Sequence, residues 1–308
     1  MKAIVYEKYG PPEVLQLKEL EKPAPRANEV LVKVHATTVT VGDSRMRSFT
    51  VPRAQWIFAR LYLGITKPKR TILGMELSGE VEAVGADVTR FVPGDQVFGS
   101  TFATRFGGYV EYKCLPEDGV LALKPANISY AEAAALTGAG MTALRCLRKA
   151  QIQPGERVLI YGASGAVGTN AVQLAKHFGA SVTAVCSTTN VGMVQALGAD
   201  QVIDYTQEDF TRRAETYDVI FDAVGKLAAA PAKKRLTPAG RYLNVHKASS
   251  GRESTEDLLF LKGLVEAGKL KVVIDRSYPL EQIVEAHRYV DQGHKKGNIA
   301  ITVAHNGG

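Results

Sequence analysis

One stretch limits the possible folds of this chain more than any other: RVLIYGASGAVGTNAVQLAK, from Arg157 to Lys176. An apolar strand runs straight into Gly162-Ala163-Ser164-Gly165-Ala166-Val167-Gly168, and residues at helical spacing follow as far as Gly179. Such a strand-turn-helix is the phosphate-binding unit of dinucleotide folds. Gly165 lets the backbone approach a pyrophosphate, Gly168 lets the helix pack on its strand, and the helix N-terminus offers free N–H groups and the positive end of its dipole. Ala163, preceded by Gly162, stands where the usual pattern begins with glycine. A ligand-free tight turn is the alternative, and the strands and helices around it argue against that.

From Gly155 onward strands alternate with helices: RVLIYG, then a helix ending at Gly179; SVTAVCS, then a helix ending at Gly198; QVIDY, then EDFTRRA; DVIFDAVG, then a short helix; and GRYLNV from Gly240. This α/β alternation predicts a right-handed, doubly wound parallel sheet. Before it, SYAEAAALTGAGMTALRCLRKA predicts two short helices around the break at Gly138 to Gly140, with a Ser129 cap and an early Glu132. From Met1 to Leu123, short β-like runs separated by Gly and Pro predict a barrel-like β domain, within which Asp43 to Leu63 reads as a helical insertion or lid. The tail carries a helix from Glu281 to Gln292 and an alternating strand, NIAITV, expected to rejoin the N-terminal domain. The expected domains are therefore 1–123 with 272–308, and an inserted 124–271.

At 308 residues, with 45% hydrophobic and 22% charged side chains, the chain is long enough for two cores and excludes collagen-like or wholly disordered classes. A net charge of +7 favours anionic partners. No aromatic-rich basic face or RNA motif accompanies it, so nucleic acid is not expected. Three scattered cysteines, Cys114, Cys146 and Cys186, argue against a disulfide framework, and no signal peptide or membrane-spanning run is evident; a cytoplasmic protein is expected.

The second strand of the sheet bears on the choice of cofactor. It ends Val185-Cys186-Ser187-Thr188-Thr189-Asn190, without the acid that accepts from the ribose of NAD and repels a 2′-phosphate. Ser187 and Thr188 can donate to a phosphate, and Tyr205 can add a hydroxyl or simply pack its loop, so NADP(H) is expected over NAD(H). No Lys or Arg lies between Ser187 and Ala199 to clamp the phosphate. FDAVG, with Val224, ends a further strand at the sheet's carboxyl edge, where open α/β sheets bind ligands; Asp222 reads as a turn former.

Together with MKAIVYEKYGPPEVLQL, VLVKVHATTVTVGDSRMRS, GMELSGEVEAVG, VPGDQVFG, AAALTGAGMTAL and YPLEQIVEAHRYVDQGHKKGNIAI, these motifs resemble the medium-chain dehydrogenase/reductase superfamily, in its zinc-independent quinone oxidoreductase (zeta-crystallin-like) branch. The resemblance implies a GroES-like β-barrel catalytic domain built from both chain ends around a Rossmann domain, substrate in the cleft between them, and a homodimer. In zinc-dependent relatives a Cys follows the strand matching VHATTV and a His stands in a Gly-His-Glu segment. Here the first is absent and the second reads Gly74-Met75-Glu76. A thioether does not replace imidazole on Zn²⁺, so no zinc is expected; His35, Asp43 and Glu76 form an improbable substitute set, and Glu76 reads as a buried structural carboxylate.

Without a metal, the accessible chemistry is NADPH-dependent hydride transfer to an activated acceptor, a quinone or an α,β-unsaturated ketone or aldehyde. The branch often carries Asn at the position of Thr40 and Tyr at that of Arg45, so a tyrosine role cannot be carried over. Thr40 can bond substrate or nicotinamide ribose, or only local backbone. Arg45 can attract a carbonyl-bearing or anionic substrate, or be solvated. Thr142 matches the family threonine near the nicotinamide, and Asn298, with Lys296 and Gly297, matches the last strand where it passes the cofactor. His294, Lys295 and Lys296 supply positive charge or form a solvated turn. Between Val245 and Asp257 the chain is shorter than the family pattern, at a segment often used in dimerisation. The competing readings are a zinc-type alcohol dehydrogenase relative and a nucleotide-binding protein with little turnover.

Overall fold

The computed structural model describes residues 1–51, 56–249 and 251–305. Its N-terminal strands form where β-branched residues alternate with polar ones. β1 (Lys2–Val5) and β2 (Gln16–Glu19) make an antiparallel pair. β3 (Glu29–Thr38) is the long strand of the larger sheet, and every valine in it is buried. Two helices follow, α1 (Val41–Ser48) and α2 (Trp56–Leu63), then β4 (Glu76–Val84), β5 (Gln96–Ser100), β6 (Tyr112–Pro116) and β7 (Leu121–Leu123). β4 pairs along one edge of β3, while β6 takes residues Glu29 to Lys33 on the other. The part of the expected insertion at residues 52–55 lies outside the described residues.

Helix α3 (Tyr130–Ala150) leads into the second set of elements. Ser129 and Glu132 close its start reciprocally: the Ser129 N–H and hydroxyl donate to Glu132 Oε2, and the Glu132 N–H donates back to Ser129 Oγ. The helix is continuous, which corrects the expectation of two short helices. At Gly138 the backbone N–H donates to Glu76 Oε2, and a Cβ there would sit 2.5 Å from that oxygen, so this glycine admits a carboxylate against the helix without ending it.

The parallel sheet contains β8 (Arg157–Tyr161), β9 (Ser181–Cys186), β10 (Gln201–Asp204), β11 (Tyr217–Asp222) and β12 (Leu236–Asn244), joined by α4 (Ala166–His177), α5 (Val191–Ala196) and α6 (Ala229–Lys233). The strand order is β10-β9-β8-β11-β12, all parallel. The core of β8 and β9, including Leu159, Ile160, Val182 and Val185, is wholly buried, as strands covered on both faces must be. The order reverses between β8 and β11, so the crevice that binds ligands in such sheets opens beyond Tyr161 and Asp222. EDFTRRA forms only a 3₁₀ turn, Phe210–Arg212, in place of the expected helix. After β12 the chain passes through α7 (Val245–Ala248) to α8 (Thr255–Glu266), whose cap is Ser254.

The chain ends with β13 (Ile274–Pro279), α9 (Ile283–Asp291) and β14 (Asn298–Thr302). β14 pairs antiparallel with β3 at Ala36 to Thr38, so the tail returns to the N-terminal sheet. Two compact units result, Met1–Gly138 with Ile274–Gly308, and Ala139–Val273. Among the described residues, no helix is long and apolar enough to cross a membrane.

Candidate functional site

In the inserted unit, the turn from β8 into α4 is built by three glycines with three different duties. Gly162 has φ +77 and a Cβ on it would meet Val224 Cγ2 at 2.1 Å; its N–H and that of Ala163 both donate to the Val185 carbonyl at 3.0 Å. Gly168 is closed as well, since a Cβ would lie 2.2 Å from the Gly162 carbonyl oxygen, which is what brings helix and strand together. Gly165 differs. It is the N-cap of α4, with an ordinary φ of −79, and the nearest atom to a Cβ there is 3.6 Å away. Space therefore opens at the residue where the first-turn N–H groups of Ala166 and Val167 have no helical acceptor.

Asn190 ties this turn to the end of β9. Its side-chain amide donates to Ser164 Oγ at 3.1 Å and to Ser187 Oγ at 3.0 Å, which leaves both hydroxyl protons available, while its own buried Oδ1 has no partner among the described residues. Thus Gly162, Ser164, Gly165, Ala166, Val167, Gly168, Ser187 and Val224 gather around one turn. Thr188 is engaged differently. Its hydroxyl donates to Asp204 at the end of β10 and sits 2.9 Å from the Thr206 hydroxyl. The Asp204 carboxyl is held below the usual range by those hydroxyls, chiefly that of Thr188, and stays charged. An acid therefore reaches this edge from the neighbouring strand. Tyr205 beside it is exposed, with its N–H on the Cys186 carbonyl. Asp222, fully buried, accepts from the N–H groups of Val224, Gly225 and Leu227 and from Asn244, which makes it the turn former expected.

Thr142 lies within α3, and its hydroxyl makes no hydrogen bond to another described residue. Burial pushes the thiols of Cys146 and Cys186 up to about 11, which keeps them protonated and poor nucleophiles.

In the other unit, Thr40 caps α1. Its hydroxyl donates to Asp43 Oδ2 at 2.6 Å and accepts the Asp43 N–H at 3.0 Å, and it lies 3.6 Å from Met75 Sδ. The hydroxyl is engaged by Asp43 both as donor and as acceptor, which is the local one of the two roles open to it. Asp43 also accepts from Gly74 N–H at 2.9 Å, fixing the Gly74-Met75-Glu76 segment. Glu76 is buried and accepts from the Thr38 hydroxyl and the Gly138 N–H. Arg45 is exposed and makes no ion pair with a described residue. Asn298, buried, opens β14; Lys295 donates to the Gly297 carbonyl at 2.6 Å, and burial holds its amine down to about 8 against the pull of Asp275 and Glu76.

A buried chain of groups that the sequence did not signal supports Asp43. Arg47, wholly enclosed, lies 3.1 Å through Nη1 from His287 Nδ1, and His287 Nε2 lies 3.2 Å from the Tyr109 hydroxyl, which in turn bonds Asp43. Burial and the Arg47 charge push His287 down to about 3. The ring is neutral, accepts at Nδ1 from the guanidinium and donates from Nε2 to Tyr109. No periodicity or motif marks His287, because its partners lie far away in the chain.

Among the described residues, no three His, Cys, Asp or Glu side chains are gathered as ligands for a metal ion. His35 stacks on Tyr130 with centroids 4.5 Å apart, Asp43 is saturated by the α1 cap, and Met75 presents a thioether. These residues do not fit a zinc ion.

Two family profiles match the chain: "Alcohol dehydrogenase GroES-like domain" over residues 26–125 and "Zinc-binding dehydrogenase" over 197–254 and 230–301. The chain is 34% identical to the 2-methylene-furan-3-one reductase of Solanum lycopersicum over 98% of its own length and 79% of the relative's. It is 32% identical to the chloroplastic NADPH-dependent alkenal/one oxidoreductase of Arabidopsis thaliana, with the same coverage of 98% and 79%. Among solved structures, the quinone oxidoreductase from Coxiella burnetii superposes with a TM-score of 0.87 at 32% identity, covering 99% of each chain.

Proposed function

Because this chain belongs to the medium-chain dehydrogenase/reductase superfamily, in its quinone oxidoreductase and enone reductase branch, we infer that it is an NADPH-dependent, zinc-independent reductase of quinones or α,β-unsaturated ketones and aldehydes. The observation that carries the cofactor half of this reading is the contrast among the glycines of the β8–α4 turn. Gly162 and Gly168 are closed by their neighbours while Gly165 opens the start of α4 to an approaching pyrophosphate. NADPH, when bound, supplies a hydride from C4 of its nicotinamide.

The chain's own residues then have separable tasks. The N–H groups of Ala166 and Val167 and the hydroxyls of Ser164 and Ser187 hold phosphate and ribose, with Val224 packed on Gly162 to shape the turn. Tyr205 covers the adenosine end, and Asn298 contributes from β14. Thr188 shares that end with the charged Asp204, so specificity for the 2′-phosphate rests on Ser187, Tyr205 and cations outside β9. Thr142, whose hydroxyl is free, is assigned to the nicotinamide and the acceptor carbonyl. Arg45 is assigned to charge developing on the acceptor oxygen, and Thr40 to holding the Met75 segment. A quinone or conjugated carbonyl delocalises the arriving negative charge, so it asks less electrophilic assistance of the protein than a saturated carbonyl does. The reading includes a homodimer, which light scattering of the purified protein tests.

The deciding experiment follows NADPH oxidation at 340 nm with small quinones and chain-length-graded enones and enals as acceptors, NADH as control, before and after exhaustive chelation. Turnover that survives chelation and prefers NADPH is expected. NADPH binding without turnover of any acceptor would overturn the reductase reading in favour of a nucleotide-binding protein.

A further inference from the structure

Between the segment 69–72 and the chain 105–114, the first unit has an open depression of about 370 Å³ whose lining, among the described residues, includes Lys69, Arg70, Arg105 and Lys113 and no acidic side chain. None of these four cations forms an ion pair with a carboxylate among the described residues. Thr40 and Met75 take no part in this lining. We propose that the depression binds a small multivalent oxyanion, the phosphate or pyrophosphate group of a soluble metabolite, held by Arg70, Arg105 and Lys113.

The chain around the depression is built at a conformational cost. Arg105 and Phe106 adopt φ values of +67 and +70, and Gly107 follows at +98. Two consecutive non-glycine residues in the left-handed region are strained, and such strain concentrates at functional sites. Here it turns the Phe106 carbonyl onto the Lys113 ammonium, which donates to it at 2.8 Å. It also puts Gly107 so close that a Cβ would stand 2.8 Å from Lys113 Nζ. The amine is thus seated by backbone, with one of its three N–H groups used. Burial lowers the Lys113 pKa, which the nearby Cys114 and Glu29 only partly offset.

The lining carries cations and no carboxylate, and a bound oxyanion supplies a counter-charge while accepting several charge-assisted hydrogen bonds. Guanidinium groups match phosphate oxygens in pairs, which favours phosphate over a single-point anion. The volume suits a phosphorylated small molecule. This inference stands apart from the reductase reading, because it uses none of the residues assigned there.

The test is amine acylation at pH 8 and constant ionic strength, mapped by peptide mass spectrometry, with and without inorganic pyrophosphate, on NADP⁺-saturated protein so that the glycine turn does not compete. Pyrophosphate is expected to lower Lys113 labelling at least about fivefold, by pairing with the ammonium form, while the exposed Lys8 labels as before. R70Q/R105Q should abolish the protection without altering the thermal transition. Unchanged Lys113 labelling in the wild-type protein would overturn the proposal, as would protection that persists in R70Q/R105Q or is reproduced by sodium chloride. Phosphatidic acid vesicles form a second arm: protection by vesicles and not by pyrophosphate would overturn the assignment to a soluble phosphate.

Discussion

Arg47 and His287 stand 240 residues apart in the chain, yet the guanidinium Nη1 lies 3.1 Å from the imidazole Nδ1, and that contact fixes which ring nitrogen carries the proton. With Nδ1 accepting, Nε2–H faces the Tyr109 hydroxyl at 3.2 Å, and the order of donors runs from Arg47 through His287 and Tyr109 to Asp43. The same Asp43 holds Thr40 and Gly74. Replacing His287 by Phe would strand a buried guanidinium N–H and a buried phenol, and a loss of about 2–3 kcal/mol is expected. Urea unfolding at pH 7 measures it.

The neutral state of His287 also sets a pH dependence. Its folded pKa of about 3 lies below the ordinary 6.5, so the unfolded chain binds more protons between those values. The stabilising contribution is complete above about pH 6.5 and is lost as pH falls toward 3, at up to about 1.4 kcal/mol per pH unit. Asp43, whose carboxyl burial raises, acts in the opposite sense over part of that range. The contrast with His287→Gln isolates the histidine: the stability gap between wild type and variant should narrow on acidification from pH 6.5 to 4. A constant gap would mean that the folded imidazole takes up its proton as readily as the unfolded one.

Much of this architecture is legible in the sequence because it is local. The glycine turn, the apolar runs of β8 and β9 and the Ser129–Glu132 cap are each set by residues a few positions apart. The continuity of α3 was not legible, since what stabilises its Gly138 backbone is Glu76, from a distant strand. Asp204 escaped for a similar reason. No acid ends β9 itself, while one arrives from β10 through the parallel pairing of Asp204 with Cys186. Contacts between adjacent strands of a crossover sheet leave no fixed spacing in the chain to read.

That carboxylate makes cofactor preference adjustable. Asp204 is half-buried, charged and hydrogen-bonded to Thr188, at the edge where a ribose phosphate is expected. Asp204→Asn removes the like charge and lets the Thr188 hydroxyl turn toward a phosphate. The ratio of kcat/KM for NADPH over NADH should rise severalfold, through KM for NADPH, and the rise should shrink as salt screens the charge. An unchanged ratio would place the 2′-phosphate away from Thr188.

The glycine turn offers a separation of folding from binding. At Gly168 an added methyl would overlap the Gly162 carbonyl oxygen at 2.2 Å, backbone against backbone, and the helix must move off its strand. Gly168→Ala should therefore lower stability by about 2 kcal/mol or more, in the range typical of overpacked cores, and weaken cofactor binding only as a consequence. At Gly165 the nearest atom is 3.6 Å from the same methyl and φ is −79, a value open to any L-residue, so Gly165→Ala should leave the thermal transition in place. The methyl instead enters the space that the pyrophosphate needs, and NADPH affinity should fall at least about tenfold, the loss of roughly 1.4 kcal/mol of contact. Fluorescence titration with NADPH alongside calorimetric unfolding separates the two. If Gly165→Ala binds NADPH as tightly as the wild type, the pyrophosphate does not lie on this turn, and the cofactor reading fails with it.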